Sequence, residues 1–149
     1  MYDRVSFLTQ NDARLRKHAD YQRVYQRSRK HFSHSMTYFF ATRTSTPPVG
    51  PRVGLTAGRV LGKAVERNRI KRRMREAVRR QLSLLRTPVD VVLHPRRSVI
   101  DLDFETLERE VAAVFHLRSN LDRAVEGLLT HGFDRADLSL VEAAKRRLQ

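Results

Sequence analysis

Residues 58–80 of this 149-residue chain hold the densest set of side chains that could do chemistry. Ten are basic (Arg59, Lys63, Arg67, Arg69, Lys71, Arg72, Arg73, Arg75, Arg79 and Arg80), opposed only by Glu66 and Glu76. A guanidinium fork binds phosphate through two parallel hydrogen bonds and never loses its charge, so the excess of Arg over Lys suits phosphate-rich RNA. Asn68, set between Arg67 and Arg69, can both donate and accept, and so can satisfy a backbone group or a ribose hydroxyl. As a merely solvated face these cations would repel one another with no counter-charge.

Five rings, Tyr21, Tyr25, Tyr38, Phe39 and Phe40, lie near two further basic clusters, Arg14-Leu15-Arg16-Lys17 and Arg27 with Arg29 and Lys30. Single-stranded RNA is gripped by base stacking on aromatic rings beside a cationic track, whereas a core uses the same rings as packing. Strand alternation sends either Tyr38 and Phe40 or Phe39 into the core, and residue type alone leaves stacking and packing both open. Groups for cutting RNA are not arranged for it. Asp3, Asp12, Asp20, Glu66, Glu76 and Asp90 show no paired spacing that would hold two metals, and the six histidines show no ligand pattern. There is no phosphate-cradling glycine loop and no cysteine, which excludes disulfides, thiolate metal sites and a cysteine nucleophile. The residues describe a binder of a polyanion with no visible active site of its own.

The elements that must position these groups follow from periodicity. Ile70, Met74, Ala77 and Val78 recur at helical spacing, with Leu82 and Leu85 beyond. A helix over 65–81 therefore docks by one side and offers Asn68, Lys71, Arg72, Arg75 and Arg79 on the other. Tyr21, Val24 and Tyr25 predict a short helix over 18–27. Residues 36–42 and 52–57, rich in aromatic and β-branched types, predict two strands that look like an antiparallel pair across the Pro-rich loop 44–51. Residues 89–93 form a third strand stopped by Pro95. Asp103 caps a helix carrying Leu107, Val111, Val114 and Phe115, with Glu105, Glu108 and Glu110 outward. Further helices are predicted from Asn120 and over 137–149. Helices covering a small sheet in this order make an α+β or α/β sandwich.

The totals agree with one domain of modest core. Net charge is +14 and the sequence pI is about 11.3, the electrostatic footprint of a nucleic-acid binder. Residues 1–98 carry 23 Lys and Arg against 6 Asp and Glu, while residues 99–149 carry 7 against 10. The first two thirds therefore do any polyanion binding. No apolar run is long enough to span a membrane and residues 1–10 lack a signal-peptide core, so the expected location is cytoplasmic.

The run Gly62-Lys63-Ala64-Val65-Glu66-Arg67-Asn68-Arg69-Ile70-Lys71-Arg72 resembles the Arg-Asn-Arg signature of the protein subunit of bacterial ribonuclease P. The similarity extends over about residues 13–116 and takes in Arg14 to Lys17, Asp20 to Tyr25, Val53 to Thr56 and the strand at 89–93. The resemblance implies a ribonucleoprotein in which the RNA subunit is the catalyst and cleaves precursor tRNA to release its 5′ leader. It implies no metal or cofactor on the protein alone, with Mg2+ held mainly by RNA. It assigns Arg59, Lys63, Arg67, Asn68, Arg69, Lys71, Arg72 and Arg75 to the catalytic RNA. It assigns Arg14, Arg16, Tyr21, Tyr25 and Phe39 to the precursor's leader, in a cleft between the first helix and the sheet, leaving Tyr38 and Phe40 to the core. The implied partners are the catalytic RNA and precursor tRNA, with no membrane and no DNA.

The resemblance also implies the fold: α+β in α-β-β-α-β-α order, a ribosomal-protein-like two-layer sandwich with a left-handed β-α-β crossover. Handedness rules would favour the right-handed form. Residues 1–12 read as a leader segment, 13–117 as the RNA-binding domain and 118–149 as a helical extension of unassigned role. The chain departs from the family pattern in having Tyr at 21 and 25 where Phe is usual, Ser28 for a common Gly, and Thr56-Ala57-Gly58-Arg59-Val60 before Gly62. A general RNA-binding or ribosomal protein of the same fold is the alternative, since fold alone does not separate them.

Overall fold

The computed structural model describes residues 13–43, 50–86 and 88–116. Helix α1 is His18–Arg27, and strands β1 (His31–Phe32), β2 (Met36–Thr42) and β3 (Arg52–Leu55) follow. A short 3-10 turn at Arg59–Leu61 enters helix α2, Ala64–Gln81. Strand β4 is Val89–Pro95, and helix α3 begins at 104 and is described to 116. The fold is α+β, with the strands forming one mixed sheet in the order β1-β2-β4-β3. The predicted leader 1–12 and the helices beyond residue 117 lie outside the described residues.

The sheet corrects one pairing. Strands β2 and β3 are not partners: β4 lies between them, antiparallel to β2 and parallel to β3. The sequence carries the reason. Val91, Val92 and Leu93 are a continuous apolar run, and all are fully buried, as suits a central strand covered on both faces. The chain reaches that central position by crossing over through α2. Strand β1 pairs at the sheet edge with Thr37 and Tyr38, and the His31 ring stacks on Tyr38 at 5.1 Å. Two residues are too few to show a period. Strand β4 also runs further than predicted, pairing Pro95 with Met36; as the last strand residue, proline is tolerated there.

Alternation along β4 sorts the core into two parts. Val89, Val91 and Leu93 face a large cluster built from Ile70, Met74 and Ala77 of α2, Leu107, Val111, Val114 and Phe115 of α3, and Tyr38 of β2. Val92 faces a small cluster with Leu15, Val24 and Ala41, against which Tyr21, Tyr25 and Phe39 pack. Helix α1 thus covers one sheet face, and α2 with α3 covers the other. Burying each large aliphatic chain contributes about 1.5–3 kcal/mol.

Three local features fix the helices. Gly62 enters α2 at φ 121°, a conformation that side chains other than glycine's hydrogen rarely allow, and the Glu66 carboxylate occupies the space a Cβ would need. Glu66 Oε2 accepts the Lys63 N–H at 2.9 Å, satisfying one free donor of the first turn. At α3, Asp103 Oδ2 accepts the Thr106 N–H at 3.3 Å. Of the three glutamates expected outward on α3, only Glu105 is exposed. Glu108 Oε1 accepts from Gln81 at 2.8 Å, and Glu110 accepts the Ser35 N–H at 2.7 Å, so both bind α3 to the rest of the fold.

Candidate nucleic-acid interface

The outward face of α2 is built by the same periodicity that buries the inward one. Asn68, Arg69, Arg72 and Arg75 are exposed, as are Lys63 at the helix entry and Arg59 in the preceding turn. None of these six side chains has an ion-pair partner among the described residues. Arg67 and Lys71 are partly buried at the borders of that face, and the Arg67 Nε is buried without a partner. An α-helix of this length offers its cations along about 27 Å.

Not every cation of the first two thirds is available. Asp90 of β4 is fully buried under α1 and is held by Arg52, whose Nε and Nη2 reach its two oxygens at 2.8 Å each. Arg23 of α1 adds a bond of 2.5 Å, and Arg43 approaches to 3.5 Å. Arg52 also reaches Asp20 at 3.2 Å. Three guanidiniums and two carboxylates so tie α1 to β3 and β4. The bidentate partner Asp90 raises the Arg52 pKa, while burial, followed by the neighbouring Arg52, lowers that of Arg43. On α2, Arg73 donates to the Leu102 carbonyl. Arg79 and Arg80 fork onto Glu76, and these bonds hold its carboxyl at about 2. Arg80 also lies over the Phe104 ring, 5.0 Å from its centroid. The Asp90 cluster and these pairings were invisible to residue counting, because each depends on where side chains come to rest in the fold.

Tyr21 and Tyr25 are one helical turn apart, yet their rings serve different places. Tyr21 packs on Gly54, where an added Cβ would come within 2.8 Å of the ring, and its hydroxyl donates to the Leu15 carbonyl at 3.2 Å. Burial raises its pKa. The ring forms one wall of a cleft of ≈ 290 Å³ whose opposite wall is α2. Val53, Leu55 and Val78 make the cleft apolar within, while Arg14, Lys71, Arg75 and Arg79 charge its rim. Residues predicted for two separate RNA surfaces, Arg14 and Tyr21 on one hand and Lys71 and Arg75 on the other, therefore share one cleft. Arg16 is exposed on the segment that enters α1.

Tyr25 instead meets Phe39 edge to face at 4.9 Å. Its hydroxyl is 2.8 Å from His94 Nε2, and the His94 ring lies 5.3 Å from that of Phe39. Burial, with the nearby Lys30, pushes the His94 pKa down, which favours the neutral ring. His94 was absent from the predicted set. Nothing local marks it, since it reads as one polar residue at the end of an apolar strand. Tyr38, which the resemblance leaves to the core, is buried there.

Among the described residues no three His, Asp or Glu side chains cluster as a metal site, and Asp20 and Asp90 are both taken by arginines. No helix among those residues is long and apolar enough to cross a membrane. A family model described as Ribonuclease P matches residues 9–117. The chain belongs to the Ribonuclease P family. It is 34% identical over 107 residues to the Ribonuclease P protein component of Finegoldia magna, covering 72% of this chain and 91% of that one. It is 36% identical over 110 residues to that of Symbiobacterium thermophilum, covering 74% and 94%. Among solved structures, the RNase P protein of Thermotoga maritima superposes with a TM-score of 0.58 at 25% identity, over 69% of this chain and 94% of that one. A Staphylococcus aureus RNase P protein shares the fold with a TM-score of 0.63 over 74% and 91%, at 23% identity. Membership makes the chain a ribonuclease P protein component, a subunit of a tRNA-processing ribonuclease and a partner of RNA.

Proposed function

We propose that the chain binds the catalytic RNA of ribonuclease P through the outward face of α2 and receives the 5′ leader of precursor tRNA along α1. The RNA performs the endonucleolytic cut that matures the tRNA 5′ end, and Mg2+ is held mainly by RNA; the cell compartment is the cytoplasm. One observation carries this reading: six exposed polar and cationic side chains on one helix and its entry turn have no counter-charge among the described residues, while neighbouring cations are paired. Phosphates are the missing counter-charge. The leader side rests on Arg14 and the partly buried rings of Tyr21, Tyr25 and Phe39, which offer stacking edges beside cations. The carboxylates nearest these surfaces are committed to arginines, which supports leaving metal binding to the RNA.

Reconstitution tests the reading. The protein alone is expected not to cleave precursor tRNA in Mg2+. With a bacterial ribonuclease P RNA it raises affinity for leader-bearing precursor above that for mature tRNA, and Tyr25→Ala reduces that advantage. Correct-site cleavage by the protein alone would overturn the division of labour. Equal weakening of precursor and mature tRNA by Tyr25→Ala would make that ring structural. Binding of unrelated RNAs as tight as that of the ribonuclease P RNA would favour a general RNA-binding protein.

A further inference from the structure

Val60 is 91% exposed and Val65 80% exposed, more than any other large apolar side chain among the described residues. Neither serves the core. In the turn Arg59–Leu61 it is Leu61 that enters the large cluster, which leaves Val60 outside. Helix α2 buries Ile70, Met74 and Ala77, and Val65 heads the opposite row, which continues at helical spacing through Asn68, Arg69, Arg72 and Arg75. The chain between the two valines is anchored. Glu66 accepts the Lys63 N–H at 2.9 Å through one oxygen and Arg97 at 2.9 Å through the other. Single exposed apolar residues are ordinary on a protein surface. These two flank one turn and are framed by Arg59, Lys63 and Arg69, all exposed without an ion-pair partner among the described residues. That frame selects the partner. An apolar protein surface would desolvate three cations without neutralising them, at high cost. RNA offers phosphates to the cations and base or ribose faces to the valines.

We propose that Val60 and Val65 form an apolar grip on one unpaired nucleotide of the catalytic RNA, between the phosphates met by Arg59, Lys63 and Arg69. This rests on the RNA reading of α2 and deepens it. In a paired A-form helix the base faces are stacked away and the major groove is too deep and narrow for side chains to read. Only an unpaired nucleotide bares an apolar face large enough to cover two valines. The grip differs in kind from the cationic contacts around it. Phosphate contacts release counterions and weaken as salt rises, whereas burying valine releases none. The grip therefore supplies a share of affinity that persists at high salt, and it favours an RNA with an unpaired nucleotide at this place over a plain duplex.

The test measures binding of the full chain to a bacterial ribonuclease P RNA at several salt concentrations. Val60→Ser and Val65→Ser are each expected to weaken binding roughly three- to tenfold at every concentration, with the wild-type salt slope. Arg72→Ala, by contrast, lowers the slope. Mapping of 2′-hydroxyl reactivity along the RNA adds a second reading. Wild type protects an unpaired nucleotide that the double serine variant leaves reactive. Serine matches valine in helix propensity, and Val65→Ala, a better helix former, is expected to weaken binding as well. Wild-type affinity in the double serine variant overturns the inference, as does a lowered slope in it. Protection changes confined to paired nucleotides do the same. Wild-type affinity in Val65→Ala together with weak binding by Val65→Ser would trace the loss to the helix start and would also overturn it. Arg72→Ala separates the two levels. If it keeps both the affinity and the slope of wild type, the RNA reading of α2 itself fails. If it lowers the slope while the double serine variant binds as wild type does, only the apolar grip fails.

Discussion

Asp90 shows how one residue governs the presentation of others. It is an aspartate with no exposed surface, and its cost of burial is met by Arg52, Arg23 and Arg43 from three other segments. Removing that charge while keeping its shape leaves guanidiniums facing one another under α1. Asp90→Asn is therefore expected to destabilise the fold by about 3–5 kcal/mol, read as a lower urea midpoint with an unchanged slope. A shift below about 1 kcal/mol would mean that Asp20 and solvent already neutralise the cluster. Sequence reading saw Asp90 only as an unpaired carboxylate, and the feature that explains it, a partner 67 residues away in α1, exists only once α1 lies on the sheet.

At the scale of the element, α2 divides its arginines by direction. Arg72 and Arg75 are exposed and have no ion-pair partner among the described residues, while Arg80, on the flank, is bound to Glu76 and lies over Phe104. Counterion release depends on cations that reach phosphates. Arg72→Ala is expected to lower the salt slope of binding to ribonuclease P RNA by about one unit for each phosphate that Arg72 neutralises. Arg80→Gln leaves the slope unchanged, measured by the same titration at several salt concentrations. Equal reductions in slope for both would show that the Glu76 pairing opens on binding and that the whole helix circumference is used. The helix itself was legible in the sequence to within one residue at its start, because a dense i, i+3, i+4 apolar stripe and a run of good helix formers specify both location and face.

For the molecule as a whole, the basic excess and the family match fall on nearly the same part of the chain. Residues 1–98 hold the basic excess, and the Ribonuclease P match ends at residue 117. A chain ending at 117 is expected to keep the salt slope of the full chain toward the RNA subunit. A smaller slope would place a phosphate-binding cation in residues 118–149, whose 6 Lys and Arg are nearly matched by 5 Asp and Glu. The two RNA-facing surfaces also join at this scale. Tyr21 of α1 and Arg75 of α2 wall the same cleft, so on the proposed reading a leader strand on α1 would run directly onto the helix proposed to meet the catalytic RNA.

Periodicity and charge are relations between residues three or four apart, or sums over a segment, and both survive without a fold. They were enough to set α1, α2 and β2 in place, to give α2 a polyanion-facing side, to confine the basic excess to the first two thirds, and to carry the Arg-Asn-Arg resemblance. Other properties depend on contacts between distant segments. The strand order turned on β4 inserting between β2 and β3, and the antiparallel pair expected from chain order gave way to it. Which arginines stay free turned on where Asp90, Glu76 and the Leu102 carbonyl came to rest. His94 became a member of the aromatic site because packing α1 on the sheet brings its ring to a tyrosine 69 residues earlier in the chain. No local pattern encodes that meeting; only the burial of Val24 and Val92 between helix and sheet produces it.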